Sequence, residues 1–138
     1  MKNTTLVIYS LFSLIIIFIF YVFYLLNCPL KPLELIGIFP VKTPIVESGD
    51  KLIYTANYCK DAKLGAGRVA RTLIGELIYN LPETYGTVAP GCHKVDLVVP
   101  IPKEVSPGKY YMQIVATYVV NQLRTVTEET RTDYFNIK

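Results

Sequence analysis

Tryptophan is absent from the 138 residues, histidine occurs once, at His93, and the charges form no blocks of one sign. Each shortage removes a class of chemistry. The 14 basic and 11 acidic residues are interspersed, with a net charge of +3, so there is no stripe to neutralise a polyanion and no nucleic-acid partner is expected. Any Ser-His-Asp relay would have to run through His93, and nothing resembling Gly-x-Ser-x-Gly surrounds Ser48 or Ser106. Glu128 and Glu129 are adjacent, which puts them on opposite strand faces or in a loop and denies them the facing geometry of paired catalytic carboxylates. Cys59, Cys92 and His93 are zinc-competent, yet no Cys-x-x-Cys or His-x3-His spacing gathers them. The expectation is a protein that is not an enzyme and has no cofactor and no metal site.

What is present in excess is apolar sequence at one place. Leu6–Leu26 contains no charge, glycine or proline, and only Ser10 and Ser13 are polar. As a helix rising 1.5 Å per residue it would be about 31 Å long, close to the roughly 30 Å of bilayer hydrocarbon. Apolar residues occupy every heptad phase, so no polar face remains for a soluble core helix. Tyr21 and Tyr24 suit a membrane interface, Asn27 ends the run, and Pro29 and Pro32 stop a helix from continuing far. The expected organisation is a short head at 1–5, a transmembrane helix at 6–26, a linker at 27–32 and one domain at 33–138. The run exceeds the 7–15 apolar residues of a cleavable signal, which favours an uncleaved anchor. Leu25-Leu26-Asn27-Cys28 also resembles a degenerate bacterial lipobox, in which Cys28 would become the lipid-modified N-terminus, although Asn27 stands where that motif has Gly, Ala or Ser. Lys2 on one side and Lys31 and Lys42 on the other leave the charge bias undecided.

From Leu33 onward, short apolar runs alternate with turn residues. Leu33–Phe39 ends at Pro40; Lys51–Cys59 follows the turn Ser48-Gly49-Asp50; Lys94–Val99 stops at Pro100. Lys109–Val120 alternates Tyr110, Met112, Ile114, Ala116 and Tyr118 against Tyr111, Gln113, Val115, Thr117 and Val119, and the tail Val126–Ile137 is rich in Thr. Arg68–Asn80 reads as one long strand ended by Leu81-Pro82, with a helix as the competing reading because Leu73, Ile74, Leu77 and Ile78 are spaced for one. The β-branched and aromatic enrichment, the period of two and the regular turns predict an all-β fold, a sandwich or barrel of about seven strands.

Ser106-Pro107-Gly108-Lys109-Tyr110-Tyr111-Met112-Gln113-Ile114 resembles the turn and penultimate strand of immunoglobulin-like and fibronectin-like modules, where a Pro-Gly turn feeds a strand with an early tyrosine. The resemblance implies an immunoglobulin-like sandwich, with Tyr110 as its tyrosine corner, the ring in the core and the hydroxyl bonded to nearby backbone. Lacking tryptophan, the chain lacks the Trp-on-disulfide core of antibody domains. The plan of one span and one small domain is similar to small membrane proteins of phages and bacteria. In an immunoglobulin-like order, Cys59 ends the second strand and Cys92 precedes the strand beginning near Lys94, an antiparallel neighbour, so the two can pair. A disulfide there would imply an oxidising compartment, with the domain periplasmic or extracellular and the N-terminus cytoplasmic; two buried thiols is the alternative.

Lys63-Leu64-Gly65-Ala66-Gly67-Arg68 is a candidate binding loop, because Gly65 and Gly67 near Lys63, Arg68 and Arg71 offer backbone N–H groups to an anion. A plain connection between strands is the other reading. Together with Asn121–Arg124 it is expected at one end of the sandwich. Eight of eleven tyrosines lie outside the apolar run; most are expected to pack, with Tyr79, Tyr85 and Tyr111 as candidate contacts. The function expected is a membrane-anchored, non-enzymatic module for protein binding or structural assembly, its partners being the lipid bilayer and another protein. The alternative is a lipid-anchored envelope protein, or a phage-encoded exclusion factor, held by Cys28.

Overall fold

A computed structural model describes residues 2–138, with side chains from residue 6 onward. Met1 lies outside the described residues, as do the side chains of the expected head at 1–5. The chain opens with α1 (Lys2–Asn27), and its Leu6–Asn27 portion is long and apolar enough to cross a membrane. None of that portion is buried against the rest of the chain beyond a partial covering of Val22, Leu25 and Asn27 at its end. Ser10 turns its hydroxyl onto the Val7 carbonyl oxygen at 2.8 Å, so its polar group is satisfied inside the helix. Asn27 closes the helix by donating its side-chain amide to the Phe23 carbonyl oxygen at 2.8 Å.

Everything after the linker is β structure: β1 (Leu33–Leu35), β2 (Ile45–Val46), β3 (Lys51–Lys60), β4 (Gly67–Ile74), β5 (Ile78–Gly86), β6 (Gly91–Pro100), β7 (Gly108–Asn121), β8 (Arg124–Arg131) and β9 (Phe135–Ile137). One sheet has the order β1-β3-β6; the other has β2-β9-β7-β4-β5, with β8 pairing β7 beyond the reach of β9. The period of two sends Leu52, Tyr54, Ala56 and Tyr58 of β3 to the same interior as Tyr110, Met112, Ile114, Ala116 and Tyr118 of β7. Leu52, Leu73 and Met112 are wholly excluded from solvent. Each such side chain contributes roughly 1.5–3 kcal/mol of transfer free energy.

Nine strands form where about seven are expected, and the differences have local causes. The Arg68–Asn80 run is strand, as expected in preference to helix, but it turns back on itself at Gly75. A Cβ on Gly75 would sit 2.6 Å from the Tyr110 ring and 2.7 Å from the Lys109 carbonyl oxygen, so only glycine passes this close to β7. The second arm continues through Leu81-Pro82 to Gly86 instead of ending there. The β4–β5 register shifts between Val69 and Arg71, and this leaves Pro82, without an N–H, in the irregular part of an edge strand. β1 stops at Leu35 because the chain changes sheets: Phe39 donates its N–H to the Arg131 carbonyl oxygen at 2.9 Å and accepts from the Asp133 N–H at 3.0 Å. At the same place the Thr-rich tail divides between β8 and β9.

Thr132 holds the division together. Buried to 1% exposure, its hydroxyl oxygen accepts the Met112 N–H at 2.9 Å and its proton goes to the Asp133 carbonyl oxygen, also at 2.9 Å. Thr132→Val keeps the shape and strands the Met112 donor. We expect a loss of about 1–3 kcal/mol, read as a lower urea midpoint at unchanged slope for the detergent-solubilised chain.

Candidate functional site

Cys59 and Cys92 form a disulfide between directly opposed residues of β3 and β6. Cys92 lies within β6 and not before it, because the strand begins at Gly91. Alternation places both cysteines on the outer face of the smaller sheet, opposite the core, while His93 points inward against the Tyr58 ring and meets the Pro90 carbonyl oxygen at 2.7 Å. The three zinc-competent side chains therefore do not converge, and among the described residues no cluster of three or more such groups occurs. Further along the same outer face, Asp96 accepts from the Lys42 ammonium and the Thr55 hydroxyl. The Lys42 bond first and the Thr55 bond second hold its carboxyl below the usual carboxylate range.

The candidate loop is dispersed by the fold. Lys63 is exposed, with its N–H taken by the Asp61 carboxylate; Leu64 is buried and pins the loop; Arg68 faces Glu83 across the β4–β5 hairpin at 3.6 Å; Arg71 turns between the sheets. Neither Gly65 nor Gly67 adopts positive φ. Gly67 serves packing, since a Cβ there would lie 2.4 Å from the Tyr118 ring, whereas a Cβ on Gly65 meets nothing within 4 Å. The loop and the Asn121–Arg124 turn emerge at the same end, because Gly67 pairs with Tyr118. At that end the turn is occupied: Asn121 donates to the Leu25 carbonyl oxygen at 2.6 Å and Arg124 to that of Pro29 at 2.7 Å. Cys28, the free cysteine, sits at this junction.

The tyrosines separate into three environments. Tyr110 has its ring in the core and donates its hydroxyl to the Ser106 carbonyl oxygen at 3.0 Å; burial, reinforced by neighbouring Tyr79, raises its pKa. Tyr79 packs against it, 6.2 Å between centroids, and bonds to the Ser106 hydroxyl and N–H lower its pKa. Tyr85 is exposed on edge strand β5. Tyr111 faces outward on β7 and joins a group that sequence reading missed. Tyr134 meets it edge-on at 5.4 Å, Lys109 lies 4.8 Å from the Tyr134 centroid, and Arg131 lies 5.6 Å from Tyr111 and 6.0 Å from Tyr134. Lys109 and Tyr111, two apart on one strand, were the available signal; the β7 register that adds Arg131 was not. Tyrosine and arginine are the side chains that dominate protein interfaces, and this cluster is the candidate binding face.

No family model matches the chain, and no curated protein matches it. Among solved structures it is similar to the Pseudomonas fluorescens alkylpurine DNA glycosylase AlkC bound to DNA containing an abasic site analog, at 10% identity and a TM-score of 0.42 over 78% of this chain and 30% of that one. It is similar in the same degree to Spo0M, a sporulation control protein from Bacillus subtilis, at 10% identity and 0.42 over 77% of this chain and 48% of that one. The chain thus spans less than half the length of either. Neither likeness is close enough to assign a fold or a function.

Gly67→Ala should destabilise the domain by about 1–3 kcal/mol through overpacking against Tyr118, while Gly65→Ala should be neutral or slightly stabilising; thermal unfolding of the two variants makes the comparison. Because the folded Asp96 pKa is depressed, its contribution is present above the ordinary carboxylate pKa and is lost as pH falls through the folded value. Asp96→Asn should therefore flatten the acid limb of a stability–pH curve and leave the neutral limb parallel to that of the parent chain.

Proposed function

We propose that the protein is a single-pass membrane protein that holds an immunoglobulin-like β-sandwich outside the cytoplasm and offers it to a protein partner as a binding module. The observation that carries this reading is the junction at Asn27, where a helix apolar on every side passes within a few residues into a disulfide-bonded β domain. In water such a helix would leave a far larger contiguous apolar surface than soluble proteins tolerate, and a bilayer removes it. Disulfides persist in oxidising compartments, which supports a periplasmic or extracellular domain and a cytoplasmic N-terminus.

The immunoglobulin-like reading rests on strand order. β1-β3-β6 against β2-β9-β7-β4-β5 reads as strands A-B-E against A′-G-F-C-C′, with β2 crossing over to pair in parallel with the last strand. Tyr110 returns its hydroxyl to the backbone four residues upstream, as a tyrosine corner does. The disulfide departs from the antibody pattern, since it joins neighbours within one sheet instead of bridging the two. The binding face is the Tyr111–Tyr134 cluster on the outer surface of the larger sheet.

Protease added to intact cells, or to spheroplasts where an outer membrane is present, should remove the β domain, and the mature mass should retain residues 1–27. A protected domain would overturn the orientation; a lipid-bearing N-terminus at Cys28 would replace the span by the lipid anchor. A photocrosslinking residue at Tyr134 should give a discrete protein adduct in the native membrane while the same residue at Thr125 gives none, and equal labelling at both would remove the binding face.

A further inference from the structure

Two cations turn into the space between the sheets without an acid to meet them. Lys60 ends the inward column of β3 at 6% exposure; its ammonium donates to the Val88 carbonyl oxygen at 3.0 Å and lies 5.5 Å from the Tyr118 centroid. Arg71, half-buried on β4, donates from Nε to the Tyr54 hydroxyl at 3.2 Å and from Nη1 to the Thr84 hydroxyl at 2.8 Å. Among the described residues neither has a carboxylate within 4.0 Å. Beside Arg71 lies a cavity of about 170 Å³, walled by Tyr54, Ala56, Leu97, Ile114 and Tyr118, with the exposed Thr84–Thr87 stretch at its margin.

These features complement each other. A guanidinium has five N–H donors in a planar fork; two are engaged here by neutral hydroxyls, and three, both of those on Nη2 and one on Nη1, remain for a carboxylate. A charge held at an apolar wall without a counter-ion is costly, and an entering anion would relieve that cost. A dry cavity of about 150 Å³ accommodates benzene, so this one has room for an apolar body of about six carbons. Lys60 does not line the cavity, which leaves Arg71 as the cation at its wall and so favours a monoanion. We propose that the space between the sheets is a binding site for a small amphipathic carboxylate, with its apolar body in the cavity and its carboxylate on Arg71.

The full chain in nanodiscs, titrated calorimetrically against empty nanodiscs, tests this with hexanoate as probe. Hexanoate should bind saturably at one site per chain, hexan-1-ol at least tenfold more weakly, and acetate without saturation. Arg71→Gln should abolish the preference of acid over alcohol, and Ala56→Leu, which fills the cavity, should abolish binding of both. Absence of saturable hexanoate binding, equal binding of the alcohol by the parent chain, or hexanoate binding unchanged by both substitutions would overturn the proposal. The acid-to-alcohol ratio in the parent chain decides the matter even where a variant fails to fold.

Discussion

The inward column of β7, from Tyr110 through Met112, Ile114 and Ala116 to Tyr118, touches nearly every other part of the β domain. On one edge β7 carries β4 along eight residues; on the other it carries β9 first and β8 afterwards. Its side chains meet those of β3 across the interior, and they fix glycine at two places where the neighbouring chain must pass: Gly75 beside Tyr110 and Gly67 beside Tyr118. The hairpin turn and the start of β4 are thus consequences of two large rings on one strand. Because β7 hands its outer edge from β9 to β8 at Met112, the passage from β8 to β9 depends on the pair of bonds that the Thr132 hydroxyl makes there.

Alternation was readable wherever a strand runs uninterrupted. The β7 column and the inward face of β3 follow directly from spacing, and Lys60, one residue past the expected end of its strand, falls on the inward phase set by Leu52 and Tyr54. Illegible were the places where the chain changes partners. Nothing local in Leu33–Phe39 announces that Phe39 will bond to Arg131 and Asp133, nor that Thr132 will stand between two strands, because those bonds join residues more than ninety positions apart in sequence or lie across a register set elsewhere. The same limit applies to sites. Lys63, Arg68 and Arg71 are neighbours in sequence but point to solvent, to Glu83 and to the interior respectively. Tyr111 lies 20 positions or more before Arg131 and Tyr134 and meets them on one face.

Two long edges lie open on the same side of the domain, β5 in one sheet and β6 in the other. An open edge invites pairing with another chain, and proteins limit this with prolines, charges and inward-pointing cations. Here β5 carries Pro82 at an irregular register, β6 presents Lys94 and Asp96, and Lys60 and Arg71 interrupt the apolar interior beneath. Arg71, on which we place the anion, is therefore also one of the inward cations that disfavour completion of the interior by a foreign strand.

The bonds from Asn121 and Arg124 to the carbonyl oxygens of Leu25 and Pro29 leave little slack between helix and domain. A module on a loose tether samples a hemisphere and dilutes its own surface within it. With the helix as the proposed membrane anchor, a clasped module keeps a fixed tilt, and with β7 running about 45 Å from end to end at strand spacing, its far loops would travel at nearly constant height above the bilayer. For the proposed protein partner, were it in the same membrane, encounter would be a two-dimensional search in which height and tilt are already matched, its rate governed by lateral diffusion and rotation about the helix axis and not by the wandering of a linker.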